Sequence, residues 1–249
     1  MSTMPELREF VVSQTVDTDA IHLRARMNTE FDARQTGKVD IEYARPGITI
    51  PIKIGYISLD VIDFTQARVQ GFFDCLDGHS QELGQLALYF DSFGYLRPNN
   101  GCWNPADFQG ERSLIYIPEF VVEEAWRGKG VGRAIFPKLF ELPQLDGAGF
   151  IFAWPTVLGH LEPRVNGNYN QQAWEAKRDR IVEFFGKASI SCENCLAGFR
   201  RLANSTFFCL AKDGGHTSHS ILIDGEAPYQ QLPPPITEEE FRRQSWAHI

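Results

Sequence analysis

The chain has 249 residues, of which 43% are hydrophobic, so it is long enough to bury one substantial core. Its formal net charge of −8 argues against nucleic acid as a main partner and would suit a cationic one. The sequence contains no apolar run long enough to span a bilayer and no N-terminal secretory signal, so neither membrane insertion nor secretion is expected.

Cysteine usage points to a reducing compartment. The five cysteines are odd in number and scattered along the chain, which predicts free thiols in a cytoplasmic or nuclear protein. Cys192 and Cys195 form one isolated pair with no second pair nearby, so no metal site is predicted.

The first third of the chain mixes strand and helix signals. Residues 9–12 predict a short strand, and Asp17 is an N-cap candidate for a helix from Ala20 to about Arg34. From Ile48 the apolar residues alternate with polar ones, and the alternation changes phase at Gly55. A β-bulge in one strand or two separate strands would explain that change.

Residues 69–90 change to a helical period, which the Asp77-Gly78 pair divides into two predicted helices. Residues 91–110 follow as a long loop rich in glycine and proline, in which Trp103 is a candidate wall for a substrate site.

The central stretch predicts a strand, a glycine-rich loop and a helix in that order. The apolar strand ends near Val122, the loop spans residues 127–132, and the helical pattern runs from Val131 to Leu142. Glycines allow backbone N–H groups to approach an anion, and the helix N-terminus attracts negative charge. Residues 127–138 contain four basic residues and no acid, so this is a predicted anion site on an acidic chain. Pro137 implies that the helix is either kinked or short.

The remaining elements are simpler. Residues 150–154 predict a buried strand, Asn170 begins a helix, and residues 198–202 and 206–210 predict two final strands. Residues 213–249 are rich in Pro, Ser and His and are interpreted as a C-terminal tail.

Two common nucleotide-binding patterns do not fit the loop. The dinucleotide pattern G-x-G-x-x-G fails because Arg133 stands where the third glycine belongs. The triphosphate loop G-x-x-x-x-G-K-[ST] fails because Gly128-Lys129 lacks the upstream glycine and the following Ser or Thr.

The loop instead resembles the acetyl-coenzyme A loop of the GNAT N-acetyltransferases, whose pattern is [Q/R]-x-x-G-x-[G/A]. Here that pattern reads Arg127-Gly-Lys-Gly-Val-Gly132 and follows a strand. The Asn170-x-x-Ala173 and Gly198-Phe199 motifs also match the family, and the resemblance covers about residues 110–212.

The resemblance implies an α+β fold, the GNAT-type acyl-CoA N-acyltransferase fold, with a mixed central sheet flanked by helices. One domain would span residues 1–212, with a helical insertion at about 69–110 before the cofactor-binding strand. Acetyl-CoA would be the cosubstrate, and an amine would be the acceptor. The negative net charge would suit a cationic amine. The implied cofactor contacts are Val121, Val122, Arg127, Gly128, Lys129, Gly130, Val131, Gly132, Arg133 and Asn170.

The catalytic residues are less well marked by the resemblance. Many members carry a tyrosine acid on the helix before the Gly-Phe motif, but this chain has Phe184 and Phe185 there. Tyr169 is a candidate substitute, and Glu119 is the candidate base, with a solvated strand carboxylate as the alternative. Two functions therefore follow, an active N-acetyltransferase or a catalytically inactive acyl-CoA-binding module.

Overall fold

Seven strands form one mixed sheet with helices on both faces, as the α+β prediction requires. The computed structural model of the protein describes residues 17–28, 33–44, 47, 50–98, 100–158, 164–165, 168–187 and 198–221. The strands of the sheet are β1 (Ile21–Asn28), β2 (Arg34–Tyr43), β3 (Ile52–Asp63), β4 (Ser113–Val122), β5 (Ala148–Ala153), β8 (Arg200–Arg201) and β9 (Phe208–Ala211). The helices are α1 (Phe64–Gln70), α2 (Phe72–Asp77), α3 (Gln81–Ala87), α4 (Val131–Phe140) and α5 (Gln171–Lys187). A separate two-stranded ribbon pairs β6 (Arg164–Val165) with β7 (Asn168–Tyr169).

The sheet has the order β1-β2-β3-β4-β5-β9-β8. Within the described part of the chain, its neighbouring strands are antiparallel except β4 and β5, which are parallel and joined by a crossover through α4. The last pair of that ladder is Ile117 with Ala153, whereas β4 continues to Val122. β4 therefore extends five residues, 118–122, beyond the end of its ladder with β5.

The helix predicted from Ala20 to Arg34 is wrong, because β1 occupies this region and β2 begins at Arg34. Along β1 the side chains from Ile21 onwards alternate between protected and exposed, and every residue of the strand pairs with β2. The cross-strand partner overrides the local helix propensity of this segment. The short strand predicted at residues 9–12 lies outside the described residues.

The change of phase at Gly55 is a β-bulge, as one of the two interpretations predicts. Ile41 pairs with Gly55 but the next residue, Glu42, pairs with Lys53, so Ile54 is the extra residue of β3. Ile54 and Gly55 are consecutively buried as a result.

A second bulge, which the sequence analysis does not predict, lies in β4. Ser58 pairs with Glu119 and Asp60 with Tyr116, so two residues of β4, Ile117 and Pro118, oppose one residue of β3. Pro118 lacks a backbone N–H and is exposed, which suits a position outside the regular ladder.

Each face of the sheet carries its own apolar core. One core packs the sheet against α4 and α5, and the other packs it against α1, α2 and α3. The helical period predicted for residues 69–90 is confirmed, although the chain forms three short helices that begin at Phe64. No helix in the described ranges is both long and apolar enough to cross a membrane.

Residues 213–221 pack back onto the sheet, where Ser218 and His219 are buried. Arg200, which has no exposed surface, holds this segment by donating a hydrogen bond of 2.8 Å to the carbonyl oxygen of Ile221. Trp103 is buried under the same segment and stacks on His216, with ring centroids 4.9 Å apart. Trp103 is therefore a core residue, and its prediction as the wall of a substrate site is wrong.

Candidate functional site

The glycine loop lies between β4 and α4, as predicted. A turn of 3-10 helix follows β4, and Gly130 then forms the N-cap of α4 in the left-handed region, at φ 80°. Gly128 also has a positive φ of 70°. A Cβ added at either glycine would meet no heavy atom within 4 Å, so the space above the loop is open. No side chain caps α4, and its first-turn N–H groups face that space without a side-chain acceptor.

Three exposed cations surround this helix N-terminus. Arg127 folds back so that its Nε donates a hydrogen bond of 2.8 Å to the carbonyl oxygen of Val122. The Lys129 ammonium lies 5.7 Å from the centre of the Trp126 ring, which places a cation beside the loop. Arg133 is exposed in the first turn of α4. The helix dipole and these charges favour an anion at the same point.

Three of the predicted cofactor residues have their side chains, or lack one, for reasons of packing or helix capping. A Cβ at Gly132 would lie 2.2 Å from the ring of Phe184, so this glycine allows α4 to pack closely against α5. Val131 is buried in the core. Asn170 caps α5 by accepting a hydrogen bond of 3.0 Å from the backbone N–H of Ala173. Val131 and Gly132 therefore offer a ligand only backbone groups.

Pro137 lies inside α4, which is only ten residues long. The helix does not stop at the proline but continues to Phe140, and its first turn precedes the proline. The N-terminal turn keeps the geometry that an anion requires.

The last part of β4 extends beyond its ladder with β5. Val121 and Val122 are half-buried there, and the described β4–β5 ladder does not include residues 118–122. Val122 packs with the α4–α5 core, and Phe120 stacks on Phe184 with centroids 5.4 Å apart. The backbone of this part of β4 therefore has an edge that β5 does not cover.

Glu119 extends from β4 to the opposite face of the sheet from Phe120. It is half-buried, and one of its carboxylate oxygens accepts a hydrogen bond of 3.3 Å from the Ser58 hydroxyl. Tyr56 lies diagonally across from Glu119, because Tyr56 pairs with Val121 and Ser58 pairs with Glu119. Burial first and then the charge of Glu119 raise the pKa of Tyr56, so its phenol keeps its proton at neutral pH.

Sequence reasoning missed Tyr56 and Ser58 as partners of this carboxylate. Both lie on the same face of β3, because they are two residues apart after the bulge, and this spacing is visible in the sequence. Their meeting with Glu119 depends on the register of β3 on β4, which the sequence pattern does not give.

Within the described residues, the end of α5 has Phe184 and Phe185 in place of the tyrosine that the resemblance implies. Phe184 and Phe185 belong to an aromatic cluster with Phe120 and Phe136. The side chain of Tyr169 lies outside the described part of the chain, as do Cys192 and Cys195. Among the residues described, no three His, Cys, Asp or Glu side chains are grouped to hold a metal ion.

No protein-family model matches the sequence, and no curated protein is significantly similar to it.

Proposed function

We propose that the protein transfers an acetyl group from acetyl-CoA to the nitrogen of an amine, in the manner of the GNAT acetyltransferases that its loop resembles. The observation that carries the proposal is the open N-terminus of α4, with the exposed cations Arg127, Lys129 and Arg133, just after the part of β4 that extends beyond the β4–β5 ladder. The carboxyl ends of parallel strands, beside the N-terminus of the helix that connects them, are a common place for a ligand.

The shape of the site suits coenzyme A. Its pyrophosphate would lie at Gly128 and Gly130, where no atom fills the space above the loop. Its pantetheine arm would follow residues 118–122 of β4, whose backbone edge is not paired with β5. The thioester would then lie close to Glu119 on the same strand.

The reaction joins the amine nitrogen to the thioester carbonyl carbon and breaks the carbon–sulfur bond. Glu119 accepts the proton that the amine loses, directly or through a water molecule, and Ser58 holds its carboxylate in place. Phe184 and Phe185 have no proton to give, so coenzyme A leaves as a thiolate, which is tolerable because a thiol has a pKa of about 8.5.

The presence of Phe184 and Phe185 also favours a second candidate, an acyl-CoA-binding module without catalysis. The binding site would be the same in both cases. Turnover alone separates the two functions.

Calorimetry with coenzyme A tests the binding site. The double variant Arg127→Ala with Gly130→Asp places a negative charge where the pyrophosphate would lie, so its binding should be abolished. Arg180→Ala, which removes an exposed cation from α5, is the matched control and should bind as the wild type does. Wild-type affinity in the double variant would overturn the proposal.

Turnover is then measured as the loss of acetyl-CoA with a panel of amines. Amine-dependent release of the thiol supports the acetyltransferase. Coenzyme A binding without release for every amine supports the binding module instead.

A further inference from the structure

The outer face of β1–β3 is basic, although the chain as a whole is acidic. Four cations, here called the basic face, extend from the same side of the sheet as Glu119: Arg24, Arg26, Lys38 and Lys53. They alternate along their strands with residues of the α4–α5 core. Helices α1–α3 pack on the same side of the sheet, but they surround a separate apolar core that does not include these four cations.

The acids on this face lie beneath the basic groups. Arg24 pairs with Glu42 at 3.3 Å, and both Arg26 and Lys53 bind Asp40. The side chains of Arg24 and Arg26 are 65% and 63% exposed, and that of Lys53 is 47% exposed, whereas Glu42 and Asp40 are only 14% and 9% exposed. A molecule that approaches from solvent therefore meets positive charge first.

Lys38 differs from the other cations of the basic face. It is exposed, and its ammonium lies 4.0 Å from the centre of the Tyr56 ring. Its charge helps to lower the pKa of Asp40, but among the described residues no carboxylate lies within ion-pair distance of it. The ring of Tyr56 thus has Lys38 over it, and the charge of Glu119, after burial, raises the pKa of its phenol.

Lys38 and Glu119 lie in one row across the sheet. Lys38 pairs with Ser58, and Ser58 pairs with Glu119, so the three residues stand on adjacent strands. Two strand spacings separate the outer backbones by about 10 Å. One short molecule with an amine at one end and an anion at the other can therefore lie across the row.

We propose that the acceptor amine carries its own anionic group, a carboxylate or a phosphate, and binds across this row. Its amine lies at Glu119 and its anion at Lys38, within the field of the basic face. A short ω-amino acid, which carries an amine and a carboxylate at opposite ends, is the simplest molecule of this kind. This assignment rests on the proposed function and differs from the cationic acceptor that net charge alone would suit, because the local charge is opposite to the net charge.

Binding is tested by calorimetry with 4-aminobutyrate in the presence of coenzyme A. Lys38→Gln should weaken binding about tenfold or more, since it removes one charge-assisted hydrogen bond. Arg180→Gln removes an exposed cation far from the row and should leave the affinity unchanged. O-Phosphoethanolamine replaces the carboxylate with a phosphate and shows which anion is preferred. Equal binding to wild type and Lys38→Gln, or no binding to either, would overturn the assignment.

Kinetics supplies a second, independent readout. Lys38→Gln should raise the KM for 4-aminobutyrate about tenfold with kcat nearly unchanged, and should leave butylamine unaffected. A wild type that uses butylamine or 1,4-diaminobutane as well as 4-aminobutyrate would refute the anionic acceptor while leaving the acetyltransferase intact. Lys38-dependent binding without acetyl transfer to any amine would refute the acetyltransferase and leave the anionic-amine site standing.

Discussion

Gly132 and Phe184 approach so closely that a Cβ on residue 132 would lie 2.2 Å from a ring carbon of Phe184. Phe184 in turn stacks on Phe120 of β4, with centroids 5.4 Å apart. The third glycine of the loop therefore fixes the position of α4 against α5 and β4. The anion-binding end of α4 depends on this contact between two helices.

Gly132→Ala should destabilise the protein by about 1–3 kcal/mol, because the added methyl group overpacks a filled interface. Gly214→Ala is the matched control, since a Cβ there meets no atom within 4 Å. Urea unfolding measures both, and Phe184→Leu should recover part of the loss at Gly132. Equal stability of the two glycine variants would contradict this account.

Glu119→Gln should lower the acetyl-transfer rate about a hundredfold or more, the usual contribution of a general base. The affinity for coenzyme A should not change, and the fall in rate at acid pH should disappear. Glu123→Gln, an exposed carboxylate just beyond the same strand, should leave the rate unaltered. Full activity of Glu119→Gln at every pH would make Glu119 a strand carboxylate only.

Arg200→Met should cost about 3 kcal/mol or more of unfolding free energy. Arg200 is fully buried and donates to the carbonyl oxygens of Gly186 at 3.1 Å, Phe199 at 2.8 Å and Ile221 at 2.8 Å, which methionine would leave without these donors. Arg180→Met, at an exposed position, should change stability little by thermal or urea unfolding. Similar losses of stability in the two variants would show that the hydrogen bonds of Arg200 do not stabilise the fold.

Asp40→Asn should lower stability at neutral pH by about 1 kcal/mol or more, since it removes the charge that Lys53 and Arg26 bind. Burial alone would raise the pKa of Asp40, but the hydrogen bond and charge of Lys53, together with Arg26, lower it below its ordinary value. The wild-type advantage should therefore be complete above about pH 4 and disappear as the pH falls through the lower folded-state pKa.

Urea unfolding from neutral to acid pH checks this dependence on Asp40. Asp146→Asn, at an exposed site, provides the comparison. A difference between wild type and Asp40→Asn that stays constant over the whole range would rule out the charge as its source.

Local patterns predicted the parts of the fold whose cause is local. The phase change at Gly55 marks a bulge because one extra residue reverses the alternation, and the glycines at 128 and 130 mark a loop because they adopt positive φ. Asn170 marks a helix start because its side chain accepts a backbone N–H.

Features that depend on distant partners were not predictable in this way. The segment 21–28 contains good helix formers, and only its pairing with β2 makes it a strand. The meeting of Glu119 with Tyr56 and Ser58 requires the register of β3 on β4, including the unpredicted bulge at Pro118. The strand could be found from the sequence, but the neighbours of its carboxylate could not.

Because the loop after β4 is open, its cleavage by a protease can show whether a ligand is bound. Trypsin cuts after Arg and Lys in exposed loops, and Arg127 and Lys129 stand there with no atom above the neighbouring glycines. A ligand that covers the loop would shield both peptide bonds from the protease. The rate of this cleavage, followed on a gel, thus measures the bound fraction of the protein without any knowledge of the acceptor.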